Sequence, residues 1–109
     1  MAERKRQADA VRTIGDVDRV IHEPARLMLL MYLSSVDEAD YIFLMRTTGL
    51  TWGNLSSHLS KLEEAGYVEI SKQFLNKKPH TMARLTKDGR QAFKEYSRTM
   101  RTAFKTLDT

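Results

Sequence analysis

Only Leu50 and Thr51 separate Gly49 from Trp52, and the chain on both sides of that gap reads as helix. Upstream, DYIFLMRTTG starts on Asp40, whose carboxylate can accept the first free N–H groups of a helix. It ends on Gly49, the residue type best suited to the left-handed position that closes one. Downstream, Thr51 can cap a second helix, 52–65, and Gly66 ends it; Trp52, Leu55, Leu59 and Leu62 recur there at helical spacing. A short helix, a turn too tight to hold any other element and a second helix specify a helix-turn-helix.

The flanking segments fill in the rest. Val11, Ile14, Val17, Val20 and Ile21 predict an amphipathic helix over 10–22, with residues 1–9 as a flexible N-terminus. Pro24 breaks that helix and suits the first turn of the next, PARLMLLMYLSSV, which is apolar on most sides and is expected at the centre of the core. After Gly66, YVEISKQF and TMARL have strand character around the basic tip LNKKPH, which makes a hairpin. Thr86 caps a long last helix, KDGRQAFKEYSRTMRTAFKTL. The predicted organisation is mainly α with a small β-hairpin: a helix-turn-helix domain with its hairpin over 10–86, and a long C-terminal helix over 87–109.

The second helix of the pair has a strong inner face and a weak outer one. Gly53, Ser57 and Ser60 lie opposite the leucines, with Asn54, Lys61 and Ser56 on the flanks. Ala, Glu or Lys would stabilise an exposed helix face better. Small polar side chains instead let a second surface approach the backbone. Asn can read adenine bidentately, Ser either base type, and Lys guanine or phosphate. The helix N-terminus adds free N–H groups suited to a phosphate. Glu63 and Glu64 repel a duplex at the other end, so DNA is expected at residues 51–61. The bland alternative is an exposed helix decorated with small polar residues.

Charge points the same way without deciding the matter. The formal net charge is +4. From residue 70 onward basic residues greatly outnumber acidic ones, which suits either an anionic partner or a solvated surface. Lys72, Lys77, Lys78, His80 and Arg84 gather on the hairpin, which can lie along a phosphate backbone or enter a minor groove. There are no cysteines, which excludes disulfides and thiolate metal sites and fits a cytoplasmic setting. His22, His58 and His80 lack metal-ligand spacing, so neither metal nor cofactor is expected. No nucleophile–base pair, carboxylate dyad or glycine-rich phosphate loop suggests an enzyme. The longest apolar run, 27–33, is too short to span a membrane.

The stretch TGLTWGNLSSHLSKLEEAGYVEISKQFLNKKPHTMARLTKDGRQAF resembles the winged-helix DNA-binding domains of ArsR- and MarR-type transcriptional regulators, especially the small stand-alone bacterial and archaeal group. The likeness runs from about residue 17 to 96. It implies a homodimer, a recognition helix over 52–65 and a wing tip over 75–80. It places Thr51, Gly53, Asn54, Ser56, Ser57, Ser60 and Lys61 against bases and phosphates, and Lys77, Lys78 and His80 on the wing. Metal-sensing ArsR members use cysteines, so a thiolate switch is ruled out here. No effector pocket is evident.

On the last helix, Phe93, Tyr96, Met100, Ala103, Phe104 and Leu107 form an apolar stripe. A helix of this length outruns a small core, so the stripe is expected against a second subunit beside the 10–22 helix, using Val11 and Ile14. Packing back on its own domain is the alternative, and the two can coexist, with Phe93 inside and Met100 to Leu107 outside. Two recognition helices about 34 Å apart would then read an imperfect palindrome in double-stranded DNA. A winged helix serving as a protein–protein module is the competing reading. It would place apolar residues on the outer face of 52–65, where Gly, Ser, Asn and Lys stand.

Overall fold

A computed structural model describes residues 2–108, as five helices and a three-stranded antiparallel sheet in the order α1 (Ala2–Gly15), α2 (Pro24–Leu33), β1 (Ala39–Asp40), α3 (Tyr41–Thr48), α4 (Trp52–Glu64), β2 (Val68–Leu75), β3 (Lys78–Leu85) and α5 (Lys87–Leu107). This is a winged helix-turn-helix. Each cap read from the sequence is made. The Asp40 side chain accepts from the Ile42 N–H, Thr51 from Asn54 and Thr86 from Gly89. Gly49 closes α3 at φ +76°. Glu23, which the sequence reading passed over, caps α2 by accepting from the Arg26 N–H.

The core is one cluster built from the inner faces of all three central helices and the sheet. Leu29, Leu30 and Leu33 of α2, Leu44 of α3, and Leu55, Leu59 and Leu62 of α4 are fully buried. Val68, Ala83 and Leu85 close the core from the sheet side. Trp52 departs from expectation. At the first position of α4 it is 52 % exposed, its ring resting on Tyr41 at 5.4 Å between centroids, rather than inside with the leucines.

Three elements differ from the sequence reading. The first helix runs Ala2–Gly15, not 10–22, so residues 2–9 are helical rather than frayed. The pairs Arg6–Glu3 and Arg12–Asp9 support the exposed side, and buried Ala10 faces α5, where Ala103 is also buried. Gly15 then ends the helix, because a glycine interior to a helix has no compensating side-chain contact. Val17, Val20 and Ile21 still turn inward, but from an irregular segment in which the Asp18 carboxylate accepts from the N–H groups of Val20 (2.8 Å) and Ile21 (3.3 Å). Three- and four-residue spacing was satisfied there by turns instead of a helix. Second, β1 pairs Ala39 with Ala83 and Asp40 with Met82, adding a third strand beside the hairpin, with Asp40 in it as well as capping α3. Third, the hairpin closes tightly. Lys78 pairs with Leu75, leaving Asn76 and Lys77 as a two-residue turn with φ of 52° and 64°. Positive φ at both positions is the signature of a type I′ turn, whose twist matches that of the strands.

The molecule is elongated, 65 × 25 × 21 Å. The long dimension comes from α5, about 30 Å of helix at 1.5 Å per residue, which packs along α1.

Candidate nucleic-acid interface

The first turns of α4 are open. Thr51, Gly53, Asn54, Ser57, Ser60 and Lys61 are all exposed, and Ser56 is half-buried at the edge. Nothing lies within 4 Å of where a Cβ on Gly53 would stand. The leucine stripe fixes this orientation: with Leu55, Leu59 and Leu62 inside, the small polar stripe faces outward. The Thr51 hydroxyl oxygen accepts from the Asn54 N–H at 3.2 Å, which leaves its own O–H able to donate. Glu63 and Glu64 are exposed at the far end, which leaves the N-terminal half as the part without carboxylates.

The half-buried edge of α4 is pinned from behind. The Arg26 Nη1 donates to His58 Nδ1 at 3.1 Å, and the Glu23 carboxylate stands 3.5 Å from the same nitrogen. Arg26 also donates to the Val20 carbonyl. Burial alone would push the Glu23 carboxyl up. The N–H groups of Arg26 and Ala25 outweigh it, aided by His58 and the Arg26 charge, and hold it below the usual carboxylate range. His58 is thus a packing residue at the half-buried edge of α4.

The wing residues divide. Lys72, Lys77 and Lys78 are exposed, with Lys77 in the turn itself. His80 is half-buried and engaged: its Nδ1 pairs with the Asp40 carboxylate, the residue that caps α3. Burial would raise the Asp40 carboxyl, but the His80 contact and the Ile42 and Phe43 N–H groups hold it down. His80 therefore ties the wing to the helix-turn-helix. Arg84 is exposed and stands across from Glu69 at 3.4 Å, low on the hairpin. Phe74, valued in the sequence only as a strand former, is 72 % exposed.

The expected interface residues divide in the same way. Val11, Phe104 and Leu107 are exposed, and Met100 and Ile14 are half-buried. Tyr96 is buried at 7 % exposure and hydrogen-bonded to His22 at 2.7 Å, and Phe93 packs on the core. Both serve their own domain, because the first turns of α5 lie across the core before the helix leaves it. Between α2 and α5 a groove of about 600 Å³ remains, lined by Leu27, Met31, Phe93, Met100 and Phe104 among others. The segment joining α1 to α2 is tied down as well. The Tyr67 hydroxyl donates to Asp18, and this bond, with burial and the Asp18 charge behind it, pushes the phenol up to about 12. Among the described residues no three His, Cys, Asp or Glu side chains gather as a metal site requires, and no helix is long and apolar enough to cross a membrane.

Comparison with known proteins agrees with this geometry. Residues 25–104 match the winged helix DNA-binding domain family. An uncharacterized protein of Methanocaldococcus jannaschii is 35 % identical over 78 residues, 72 % of this chain and 85 % of that protein. Among solved structures, a transcriptional regulator homologue from Pyrococcus horikoshii superposes with a TM-score of 0.85 at 25 % identity, over 93 % of this chain and 99 % of the other. The transcriptional repressor CouR, solved on a 23-mer DNA duplex, shares the fold at a TM-score of 0.70 and 20 % identity, over 94 % of this chain and 69 % of its own.

Proposed function

The chain belongs to the winged helix DNA-binding domain family, and on that premise we propose that it is a homodimeric, cytoplasmic transcriptional regulator that binds double-stranded DNA at an imperfect palindrome. The observation that carries this reading is the bare first half of α4: Gly53, Asn54, Ser57, Ser60 and Lys61 exposed together, on a helix whose other face is locked into the core. This stripe enters the major groove. Asn54 and Ser57 read base edges, Lys61 reads guanine or holds phosphate, and the free N–H groups of the first turn take a phosphate beside Gly53. Lys77 and Lys78 follow the backbone or the minor groove next to it. Binding blocks access of the transcription machinery.

Dimerisation has its own support. Phe104 is 59 % exposed, Val11 59 % and Leu107 42 %, all on the two helices that project from the body. Exposed apolar area of this kind on a projecting helix pair is what a two-fold interface buries. The interface residues are then Val11, Ile14, Met100, Phe104 and Leu107, with Met31 of α2 at the margin.

A protein–protein module would need the apolar surface on α4, and there only Trp52 is both large and exposed; the remaining apolar exposure lies on other elements. The test is selection of bound duplexes from a random library, followed by gel shift on the winner. The double variant Lys77→Ala, Lys78→Ala should weaken binding to every duplex and lower the salt slope by about two. Asn54→Ala should lose discrimination by about 1–3 kcal/mol at one position of each half-site. A library that returns no enriched sequence, with both variants binding as the parent does, refutes the reading.

A further inference from the structure

The face of the hairpin that packs on the helices continues past the core and ends in an uncovered aromatic ring. Side chains alternate between the two faces of a strand. The register Val68↔Leu85 and Ile70↔Ala83 places these pairs on the core side. Two residues further out on the same face is Lys72↔Thr81, and two beyond that Phe74↔Pro79. The hairpin therefore holds a phenyl ring, beside a proline, on the side of the sheet where α4 lies but beyond the edge of the body. At 72 % exposure Phe74 contributes almost nothing to the core. Lys72 lies on its face, and Lys77 and Lys78 stand at the adjacent tip, all exposed.

An apolar ring among lysines matches a surface that is anionic at its rim and apolar within. A duplex minor groove is such a surface, with phosphates on both edges and sugars and base edges between them. We propose that Phe74 is an apolar wedge that enters the minor groove beside the major-groove site of α4, pressing on the deoxyriboses and partly unstacking one base step. This rests on the DNA-binding reading above and adds a second source of specificity. The step under the wedge is chosen by how easily it deforms, so flexible pyrimidine–purine steps are favoured at a position that no polar side chain reads.

The test uses the full chain, a duplex recovered by selection, and 2-aminopurine placed in turn at each step flanking the major-groove site. The parent should raise the fluorescence at one step, where stacking is lost. Phe74→Ala should abolish that rise and weaken binding about tenfold, the scale of one aromatic–base contact. It should leave the salt slope unchanged, because no charge is removed. Its melting temperature should match the parent's, since the ring is exposed. Binding within twofold of the parent, or a fluorescence rise that survives the substitution, overturns the wedge. So does a Phe74→Ala chain that sediments as a smaller species, which would mean the ring is covered by a second copy. The Lys77→Ala, Lys78→Ala variant separates the two readings: if it weakens binding while Phe74→Ala does not, only the wedge falls. If neither variant nor Asn54→Ala affects binding, the DNA reading falls with it.

Discussion

Two glycines near helix N-termini should respond oppositely to the same methyl group. At Gly89, the third residue of α5, a Cβ would stand 2.0 Å from the Tyr67 carbonyl oxygen, 2.8 Å from its carbon and 2.9 Å from Leu85 Cδ1. The first two are backbone atoms, so no rotamer change relieves the clash. Tyr67 also accepts the Thr86 N–H at 3.0 Å, a bond that any retreat of the carbonyl would stretch. Overpacking of this kind costs about 1–3 kcal/mol and the strained hydrogen bond about 1 more, against at most ~1 regained from helix propensity. Gly89→Ala should therefore lose roughly 2–3 kcal/mol, lowering the melting temperature by about 10–20 °C. At Gly53 the same methyl meets nothing within 4 Å. Gly53→Ala should gain about 0.4–1 kcal/mol, or roughly 2–6 °C, by restricting the unfolded chain. Its penalty appears only on DNA. Holding a phosphate off the first-turn N–H groups forfeits about 1.5–3 kcal/mol for one charge-assisted hydrogen bond, a loss of tenfold or more in affinity. Scanning calorimetry and gel shift on the two variants check both halves. A Gly53→Ala chain that melts higher and still binds as tightly as the parent refutes close approach at that residue. A Gly89→Ala chain that melts with the parent refutes the packing.

Three further outcomes are expected. Lys77 sits at φ 64° in a turn that suits glycine; Lys77→Gly should raise stability by about 1 kcal/mol in urea unfolding while lowering the DNA salt slope by about one. A stability that does not rise would mean the turn stores no strain. The Asp40 and Glu23 carboxyls are held below their ordinary range in the folded chain. Their contribution is therefore complete above the unfolded-state values and is lost as pH falls through the lower folded ones, so urea midpoints should drop between about pH 5 and pH 3. Asp40→Ala should cost about 1–2 kcal/mol at pH 7 and less at pH 3; an equal cost at both would exclude the carboxylate as the source. Phe104→Glu with Leu107→Glu should sediment as a monomer with unaltered unfolding of its own domain, and a dimer that survives both would remove the end of α5 from the interface.

The parts of the fold that were legible in the sequence were those fixed by local chemistry. Asp40, Gly49, Thr51 and Thr86 announce helix ends because each satisfies backbone groups within a few residues of itself. The outer face of α4 was legible because the leucine stripe, once helical, leaves no freedom in what faces out. The features that escaped depend on contacts distant in sequence. Strand β1 is two residues long and exists only because β3 offers an edge 44 positions away at Ala39↔Ala83. His80 looked like a wing cation until the fold brought Asp40 to it across a gap of 40 positions. Residues 2–9 looked frayed because their partner, α5, lies at the other end of the chain. Phe74 counted only as a strand former because an alternating pattern does not show where the body of the domain stops.

The division of labour on α4 explains why its surface can be weak without cost to the fold. Leu55, Leu59 and Leu62 are fully buried, and deleting such side chains typically costs about 2–5 kcal/mol each. His58 adds the anchor to Arg26 and Glu23. Against that hold, the propensity lost at Gly53, Asn54, Ser57 and Ser60 sums to about 2 kcal/mol. The inner face thus supplies a margin larger than the outer face gives up. The outer residues are then free to be chosen for what they touch, and single changes among them should alter binding while moving the melting temperature by only about 2–6 °C, as at Gly53.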